Sequence, residues 1–208
     1  SALLSPVSRY AIRGQIPMFS VNSNTPGTGK GLLIDTLSTI VTGRRAPSWA
    51  QTNDDAEMEK QLMTIALSGD LLVHIDNVTE TLGSGPLHRA LTSESVTGRL
   101  LGLNEERTVL LDTIFFTSGN NISYRDDMVR RMVPIELDPK IEHPEERNDF
   151  KRNPLLPWVA KQRATLLIDA ITILLAYMRD GQSSQKLTGL GSFQEWSNLV
   201  RSALTWVG

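Results

Sequence analysis

Short apolar runs alternate in this chain with stretches whose apolar residues recur every three or four positions. Residues 17–21, 71–75, 113–117 and 132–137 have the length and composition of buried strands. Each run is largely apolar instead of alternating between apolar and polar side chains, which is typical of parallel strands covered on both faces. The alternation of strands with helices predicts an α/β fold with a mostly parallel central sheet flanked by helices.

Helical spacing and capping signals predict four main helices. One covers residues 30–41 and ends at the glycine cap Gly43. Another runs from a cap at Asn53 or Asp54 to about residue 68. The last two cover residues 155–180 and 193–207.

Two further segments complete the predicted organisation. Residues 99–103 and 107–111 flank a polar tip and predict a β-hairpin. Residues 139–153 are polar and charged, and they predict a connector. We therefore expect a core domain over residues 1–153 and a C-terminal helical segment over residues 154–208.

The stretch between the first strand and the first long helix has the features of a phosphate-binding loop. Gly27 and Gly29 permit positive φ and close approach of backbone N–H groups to oxygen atoms. The following helix directs the positive end of its dipole to the same place, and Lys30 adds a full charge for the β and γ phosphates. The residues predicted to bind ATP are Asn24, Thr25, Pro26, Gly27, Thr28, Gly29, Lys30, Gly31 and Leu32.

Two positions depart from the pattern G-x-x-x-x-G-K-[ST]. Asn24 replaces the first glycine, which is a mild change because Asn tolerates left-handed backbone better than most residues. Gly31 replaces the Ser or Thr whose hydroxyl binds Mg²⁺, so the metal takes another ligand or binds weakly. The alternative is a glycine-rich turn that binds nothing.

Asp76 closes the second predicted strand, in the position of a Walker-B carboxylate that binds Mg²⁺. The alternative is an Asp that caps a helix or a turn. Asn77 follows at a position where many P-loop ATPases carry Glu. An amide can orient water but cannot take its proton. Asp76 or Glu80 then remains as the candidate general base. The alternative is a domain that binds nucleotide without hydrolysing it.

Polar residues also follow the later strands, and parallel strands place their carboxyl ends along one edge of the sheet, where ligands bind. We therefore expect residues 24–30, 76–77 and 120–121 to converge there, with the strand that ends at Asn120 beside the strand that ends at Asp76.

Asn120, or Asn121 beside it, can contact the γ-phosphate or the attacking water, although asparagine is also common in turns. Arg130 and Arg131, with Arg125 as a weaker candidate, can supply a guanidinium to a neighbouring subunit's γ-phosphate. Surface pairing with carboxylates is the alternative for these arginines.

The hairpin offers a candidate nucleic-acid surface. Arg99 or Arg107 can contact DNA phosphates if the hairpin faces a channel. Its tip, residues 104–106, is acidic, which makes an ordinary edge hairpin equally compatible. His74 lies inside an apolar strand and is interpreted as a satisfied core residue.

Composition adds few constraints. The chain has 208 residues, a net charge of −2 and no cysteine, which fits a cytoplasmic protein without disulfides. No apolar run is long enough to span a bilayer, so no membrane partner is expected. The chain lacks an initiator Met and stops directly after an amphipathic run, which indicates a fragment of a longer protein.

Taken together, the motifs resemble the ATPase domain of phage-type DNA primase/helicase proteins. That family is similar to superfamily 3 helicases within the AAA+ P-loop ATPases. The segments that carry the resemblance are PMFSVNSNTPGTGKGLL (17–33), VHIDNV (73–78), FTSGNN (116–121), DDMVRRMVPIEL (126–137) and the tail from 191 to 208.

The resemblance implies a ring, often a hexamer, with ATP between subunits and single-stranded DNA in the channel. It implies that Lys30 binds phosphate, Asp76 binds Mg²⁺, Asn120 senses the γ-phosphate, and Arg131 or Arg130 reaches the next subunit. A primase domain or other replication proteins are the implied partners. The competing hypotheses are a nucleotide-binding switch or loader with little hydrolysis, and a kinase-like P-loop transferase.

Overall fold

A computed structural model describes residues 1–99, 105–141 and 143–208 of the chain. Its helices are α1 (Leu4–Val7), α2 (Lys30–Thr42), α3 (Asp55–Ser68), α4 (Gly85–Ala90), α5 (Asp126–Val129), α6 (Leu155–Arg179), α7 (Gln194–Trp196) and α8 (Ser202–Val207). Its strands are β1 (Met18–Ser23), β2 (Ser48–Ala50), β3 (Leu72–Val78), β4 (Ser95–Arg99), β5 (Glu106–Leu110), β6 (Ile114–Asn120) and β7 (Met132–Glu136).

Five strands form the central sheet in the order β2-β3-β6-β1-β7, and every pairing in it is parallel. Helices flank this sheet, so the predicted mixed α/β architecture is confirmed. β6 lies between β1 and β3, as the position of the polar strand ends had indicated. β2 was missed, because this edge strand has only three residues and two of them are exposed, which leaves no apolar run to detect.

The polar ends of the central strands lie along one edge of the sheet. Ser23 at the end of β1 pairs with Asn120 at the end of β6. β3 and β6 continue to Val78 and Asn120, three residues beyond their predicted ends at 75 and 117, because the polar residues there still pair with their neighbours. The loop after β1 therefore begins beside the ends of β6 and β3.

β3 carries an extra residue near its end. Ile75 pairs with Thr117 and Val78 pairs with Gly119, so three steps along β3 match two along β6. Asn77 takes up the extra length with a φ of 51°, in the left-handed region. This is the geometry of a β-bulge, a local feature that re-aims side chains near sites.

The hydrophobic core lies on both faces of the sheet. On one face, Phe19 stacks on Phe116 with ring centroids 5.1 Å apart, and Trp196 meets Phe19 edge-on at 6.3 Å. The indole N–H of Trp196 donates to the hydroxyl of Ser5 at 2.7 Å, so the first helix and the C-terminal helices share this core. On the other face, α3 and α4 pack on β3 and β6 through residues such as Met58. Burial of each large apolar side chain stabilises the fold by about 1.5–3 kcal/mol.

The predicted helix ends agree with the structure. The Asp54 carboxylate accepts from the N–H groups of Ala56 and Glu57, which selects Asp54 over Asn53 as the cap of α3. Gly43 ends α2 with a φ of 82°. Arg163 on α6 donates to the carbonyls of the last turn of α2 at 3.0 and 2.9 Å, which joins the two helices.

The C-terminal region differs in one respect from the single helix predicted over 193–207. A π-helical segment, Ser197–Arg201, separates α7 from α8. A π-helix closes its backbone hydrogen bonds over five residues, a spacing that α-helical periodicity does not predict. Ser202, the first residue of α8, also donates its side-chain hydroxyl to the carbonyl of Ser197 at 3.4 Å.

The hairpin is confirmed, but its first arm begins earlier in the chain. β4 and β5 form a separate antiparallel pair in which Arg99 lies opposite Glu106. The predicted residues 100–103, and Asn104 at the tip, lie outside the described residues. The hairpin packs on α3, where a Cβ at Gly98 would contact Met63 at 3.6 Å.

Candidate functional site at the carboxyl edge of the sheet

An open cleft of about 260 Å³ lies where β1, β3 and β6 end. This is the edge at which parallel α/β sheets bind ligands. The cleft is lined by Pro26, Gly27, Thr28, Gly29, Lys30, Gly31, Asp76, Asn77, Ser118, Gly119 and Asn120. It thus brings together the three chain segments that the sequence selected.

The glycine-rich loop has the backbone that its sequence predicts. Gly27 and Gly29 have φ values of 73° and 83°, which L side chains rarely adopt. α2 begins directly after Gly29, and no side chain caps its N-terminus. The first-turn N–H groups of a helix have no intrahelical partner, so they are available to an anion in the cleft.

Lys30 extends its ammonium across the cleft. Its Nζ donates to Asn120 Oδ1 at 2.7 Å, to Thr28 Oγ1 at 3.3 Å and to the Thr25 carbonyl at 3.5 Å. Desolvation lowers the pKa of Lys30, and the negative charge of Asp76 opposes that shift. The ammonium is thus held between the glycine-rich loop and β6, facing the carboxylate.

Asp76 is held through one of its two oxygens. Its Oδ1 accepts from the Ser118 hydroxyl at 2.8 Å and from the Asn77 backbone N–H at 2.8 Å. Among the described residues, no hydrogen bond reaches Oδ2, and the Asp76 side chain is 53% exposed. No group of three or more His, Cys, Asp or Glu in the described part of the chain can hold a metal ion.

His74 is a buried histidine that belongs to this site. Its Nε2 lies 2.9 Å from Ser118 Oγ and 3.4 Å from Asp76 Oδ1. Burial lowers the pKa of His74, while the charges of Asp76 and Asp35 oppose the shift. The expectation of a satisfied core residue missed this contact, although a strand places residues 74 and 76 on the same face.

Asn77 and Glu80 border a second cavity of about 450 Å³ next to the cleft. The Glu80 carboxylate accepts a hydrogen bond from the Asn53 amide, and Gln51 bonds to the backbone of the same segment. Asp76 and Asn77 line both cavities, whereas Glu80 lines the second. Glu80 is therefore near Asp76 but does not line the cleft that contains Lys30.

The two asparagines after β6 differ in their surroundings. Asn120 reaches Lys30, as described above, whereas Asn121 has a φ of 50° and donates its N–H to the Ser23 carbonyl, which is turn geometry. Asn22 near the end of β1 also takes part, since its Oδ1 accepts from the backbone N–H of Ile122 at 3.1 Å. Asn120 is thus the better-placed of the two candidates.

The candidate arginines lie at the opposite edge of the sheet. The Arg131 carbonyl accepts from the Met18 N–H at the start of β1, and the glycine-rich loop follows the other end of that strand. The separation along the strand is about 17 Å, from five residues at 3.3 Å each. Arg130 and Arg131 both pair with Asp127, at 2.5 and 2.6 Å, and Arg125 lies at the start of α5. These arginines are not brought to Lys30 of their own chain.

The hairpin arginines do not line the cleft. Arg107 pairs with Glu105 at 3.3 Å, and both side chains are largely exposed. Arg99 lies in register with Glu106. Their role in DNA binding stays a prediction.

One element of the expected connector lies against the glycine-rich loop. A 3₁₀ turn, Pro144–Glu146, places Glu145 beside Gly27. A Cβ on Gly27 would be 2.9 Å from both Cβ and Oε2 of Glu145. No local sequence signal pointed to this contact, because it joins segments more than a hundred residues apart.

Comparison with known proteins shows the fold. No family model and no curated protein matches the chain. The apo A form of the NrS-1 C-terminal region is similar in structure, with a TM-score of 0.54 and 19% identity. A second apo A-form structure, of residues 305–718 of that region, has a TM-score of 0.50 and 18% identity. Each match covers 78% of this chain, which spans 37% of the length of the matched chain.

Proposed function

We propose that this chain is the ATP-binding and hydrolysing motor domain of a phage or mobile-element DNA replication protein. One observation carries the proposal: Lys30, Asp76 and Asn120 come from distant segments and line a single cleft with a glycine-rich loop. A lysine, a carboxylate and free helix N–H groups around one space are suited to a triphosphate with its metal. The fold similarity to the NrS-1 C-terminal region is compatible with this proposal.

In this proposal the loop N–H groups and Lys30 bind the β and γ phosphates. Lys30 exchanges its contact with Asn120 for phosphate oxygens, which leaves the Asn120 amide free to orient the attacking water. Asp76 Oδ2, which accepts no hydrogen bond from the described residues, fits Mg²⁺, which keeps several waters and takes one or two carboxylates. Bound Mg²⁺ would neutralise charge that develops on the phosphates.

We expect slow hydrolysis. Asn77 can orient water but cannot accept its proton, and Gly31 provides no hydroxyl. Glu80 is the nearest further carboxylate in the chain segment after Asp76, and it lines the adjoining cavity. These departures keep a second candidate function open, a switch or loader that assembles on binding nucleotide and scarcely hydrolyses it.

The position of Arg130 and Arg131 favours an assembly over a single chain. The length of β1, about 17 Å, separates the Arg131 backbone from the phosphate loop, so in this proposal the guanidinium acts on the nucleotide of a neighbouring copy. A hexameric ring with single-stranded DNA in its channel follows from the resemblance, with Arg99 and Arg107 as the candidate DNA contacts. A primase domain or other replication proteins are the proposed partners. In the described residues, no helix has the length and apolarity needed to cross a membrane.

Nucleotide titration tests the proposal directly. Replacing Lys30 with Ala removes charge-assisted bonds of about 1.5–3 kcal/mol, so affinity for a fluorescent ATP analogue should fall about 10–100-fold. Lys60→Ala is the matched control, since Lys60 is exposed on α3 and pairs with Glu57. Equal affinity of the Lys30→Ala variant and the unaltered protein would contradict the proposal.

A further inference from the structure

The hydrogen bonds that join His74, Ser118 and Asp76 have a defined direction of donation. The Ser118 hydroxyl donates to Asp76 Oδ1, and a hydroxyl has one proton to give. The 2.9 Å contact between Ser118 Oγ and His74 Nε2 is then made by an N–H of the imidazole. The order of donation is therefore His74 to Ser118 to Asp76.

These hydrogen bonds distinguish the two carboxylate oxygens of Asp76. Oδ1 is occupied by Ser118 and by the Asn77 N–H, and the carboxylate plane is fixed by two bonds from different strands. His74 and Ser118 are 5% and 3% exposed, so water does not compete strongly for their bonds. Oδ2 is the oxygen that has no hydrogen-bond partner among the described residues, and Asp76 lines the cleft.

The same side chains lie next to the position that lacks a hydroxyl. A Cβ built on Gly31 would lie 3.9 Å from Cε1 of His74, which is ordinary van der Waals contact. Gly31 and Ser118 both line the cleft. The buried pair thus occupies the side of the cleft where the Ser or Thr of a phosphate loop would act.

We propose that His74 and Ser118 are positioning residues that fix Asp76 for Mg²⁺ and compensate for the hydroxyl absent at Gly31. This inference rests on the proposed nucleotide site. Residues that orient a metal-binding group change metal affinity by about 10–100-fold when they are removed. The effect should be larger on the Mg²⁺ dependence of nucleotide binding than on nucleotide affinity without metal.

The test is binding of a fluorescent ATP analogue in EDTA and across a MgCl₂ titration. Ser118→Ala should raise the Mg²⁺ concentration at half-maximal effect by about 10–100-fold, a larger change than any it causes in affinity measured in EDTA. Thr117→Val is the matched control, because Thr117 also donates a buried hydroxyl from β6 to β3, to the Ile75 carbonyl at 3.1 Å, without contacting Asp76. An unshifted Ser118→Ala variant, or an equal shift in Thr117→Val, overturns the inference.

Variants of His74 carry the test if Ser118→Ala does not fold. His74→Leu removes the donor and should shift the Mg²⁺ midpoint as Ser118→Ala does, whereas His74→Gln retains an N–H and should shift it less. Equal midpoints for His74→Leu and the unaltered protein overturn the inference. Binding in EDTA without any response to Mg²⁺ in the unaltered protein also overturns it, while absence of nucleotide binding altogether overturns the proposed function itself.

Compensation at Gly31 has its own measurement. Gly31→Ser in the Ser118→Ala background restores a hydroxyl on this side of the cleft, and the space beside His74 accepts the added Cβ. The double variant should recover at least part of the lost Mg²⁺ affinity. A midpoint that stays where Ser118→Ala left it overturns the compensation for Gly31.

Discussion

The Lys30 ammonium donates to the Asn120 side-chain oxygen at 2.7 Å and thereby joins the glycine-rich loop to the end of β6. Ninety positions separate these residues in the chain, and the parallel pairing of β1 with β6 brings them together. If the cleft binds nucleotide as proposed, Lys30 would exchange this bond for a bond to a phosphate oxygen.

Substitutions at Asn120 should separate binding from turnover. Asn120→Ala removes the amide that we propose orients the attacking water, so we expect hydrolysis to fall about 100-fold while affinity changes little. Asn120→Asp places a carboxylate beside Lys30 and the phosphates, so affinity should fall about 10-fold or more. Steady-state ATPase assays with analogue titration measure both. Unchanged turnover in Asn120→Ala would remove Asn120 from the mechanism.

Gly27 should tolerate alanine less well than another glycine of similar backbone. Gly69 has a φ of 65° with no atom within 4 Å of an added Cβ, whereas Gly27 has a φ of 73° and meets Glu145. Gly69→Ala should cost about 1–2 kcal/mol of unfolding free energy from left-handed strain alone. Gly27→Ala should cost more and also weaken ATP binding, as measured by denaturation and titration.

A second substitution separates the stability cost of the contact with Glu145 from the cost of left-handed backbone at Gly27. Glu145→Gly removes the Cβ and the carboxylate that approach Gly27, so the Gly27→Ala, Glu145→Gly double variant should recover the excess cost over Gly69→Ala. If the two alanine variants lose equal stability, the contact between Gly27 and Glu145 has no energetic weight.

Mixing experiments should reveal a neighbour-supplied arginine. Arg131→Ala and Arg130→Ala each leave the glycine-rich loop intact, so nucleotide affinity should persist while the variant that lacks the finger loses about 10³-fold in turnover. When that variant is titrated into unaltered protein, activity should fall more steeply than the variant's fraction. A loss in proportion to the fraction would favour a monomeric transferase.

Stability should fall on acidification because of His88. Burial lowers the pKa of His88 most, the positive charges of Arg131, Arg125 and Arg130 add to the shift, and Asp127 opposes it. Above pH 6.5, His88 is neutral in both states and contributes no pH dependence. As pH falls through 6.5, the unfolded chain binds a proton that the folded chain resists, so stability is lost down to the depressed folded pKa.

Denaturant titrations between pH 7.5 and 5 check this expectation. His88→Gln removes the titrating group, so its unfolding free energy should decline less over that interval than that of the unaltered protein. Identical pH slopes for the two proteins would show that His88 does not contribute.

The C-terminal helices should unfold together with the sheet. Trp196 is 1% exposed and packs against Phe19, so Trp196→Ala should cost about 3–5 kcal/mol and lower a single unfolding transition. Trp158→Ala is the control, because Trp158 lies partly exposed beneath Arg152. Two separate transitions in calorimetry would contradict a shared core and favour independent units at 1–153 and 154–208.

Local patterns predicted the parts of the fold whose signals are local. The apolar runs of β1, β3, β6 and β7 and the caps at Asp54 and Gly43 each leave a signature in neighbouring residues. Their polar ends also predicted the shared edge, because parallel strands end together. β2 lacked such a signature because an exposed edge strand of three residues needs no apolar run.

The remaining features of the site depend on register and on distant packing. The contact of Ser118 with Asp76 exists because β6 lies beside β3 in one register, which sequence periodicity does not specify. His74 looked like an ordinary core residue because burial alone explains its position. Glu145 contacts Gly27 from a short 3₁₀ turn that lies more than a hundred residues away in the chain.

The bulge at Asn77 shifts the alternation of side chains along β3 by one residue. Side chains of a regular strand point alternately to the two faces of the sheet, so Val78 would share a face with the exposed Asp76. Asp76 and Asn77 are both exposed, yet Val78 is only 2% exposed. The left-handed conformation of Asn77 thus allows β3 to expose two consecutive polar residues and still bury Val78. A β-branched residue at position 77 disfavours that conformation, so it should disturb either the exposed pair or the burial of Val78.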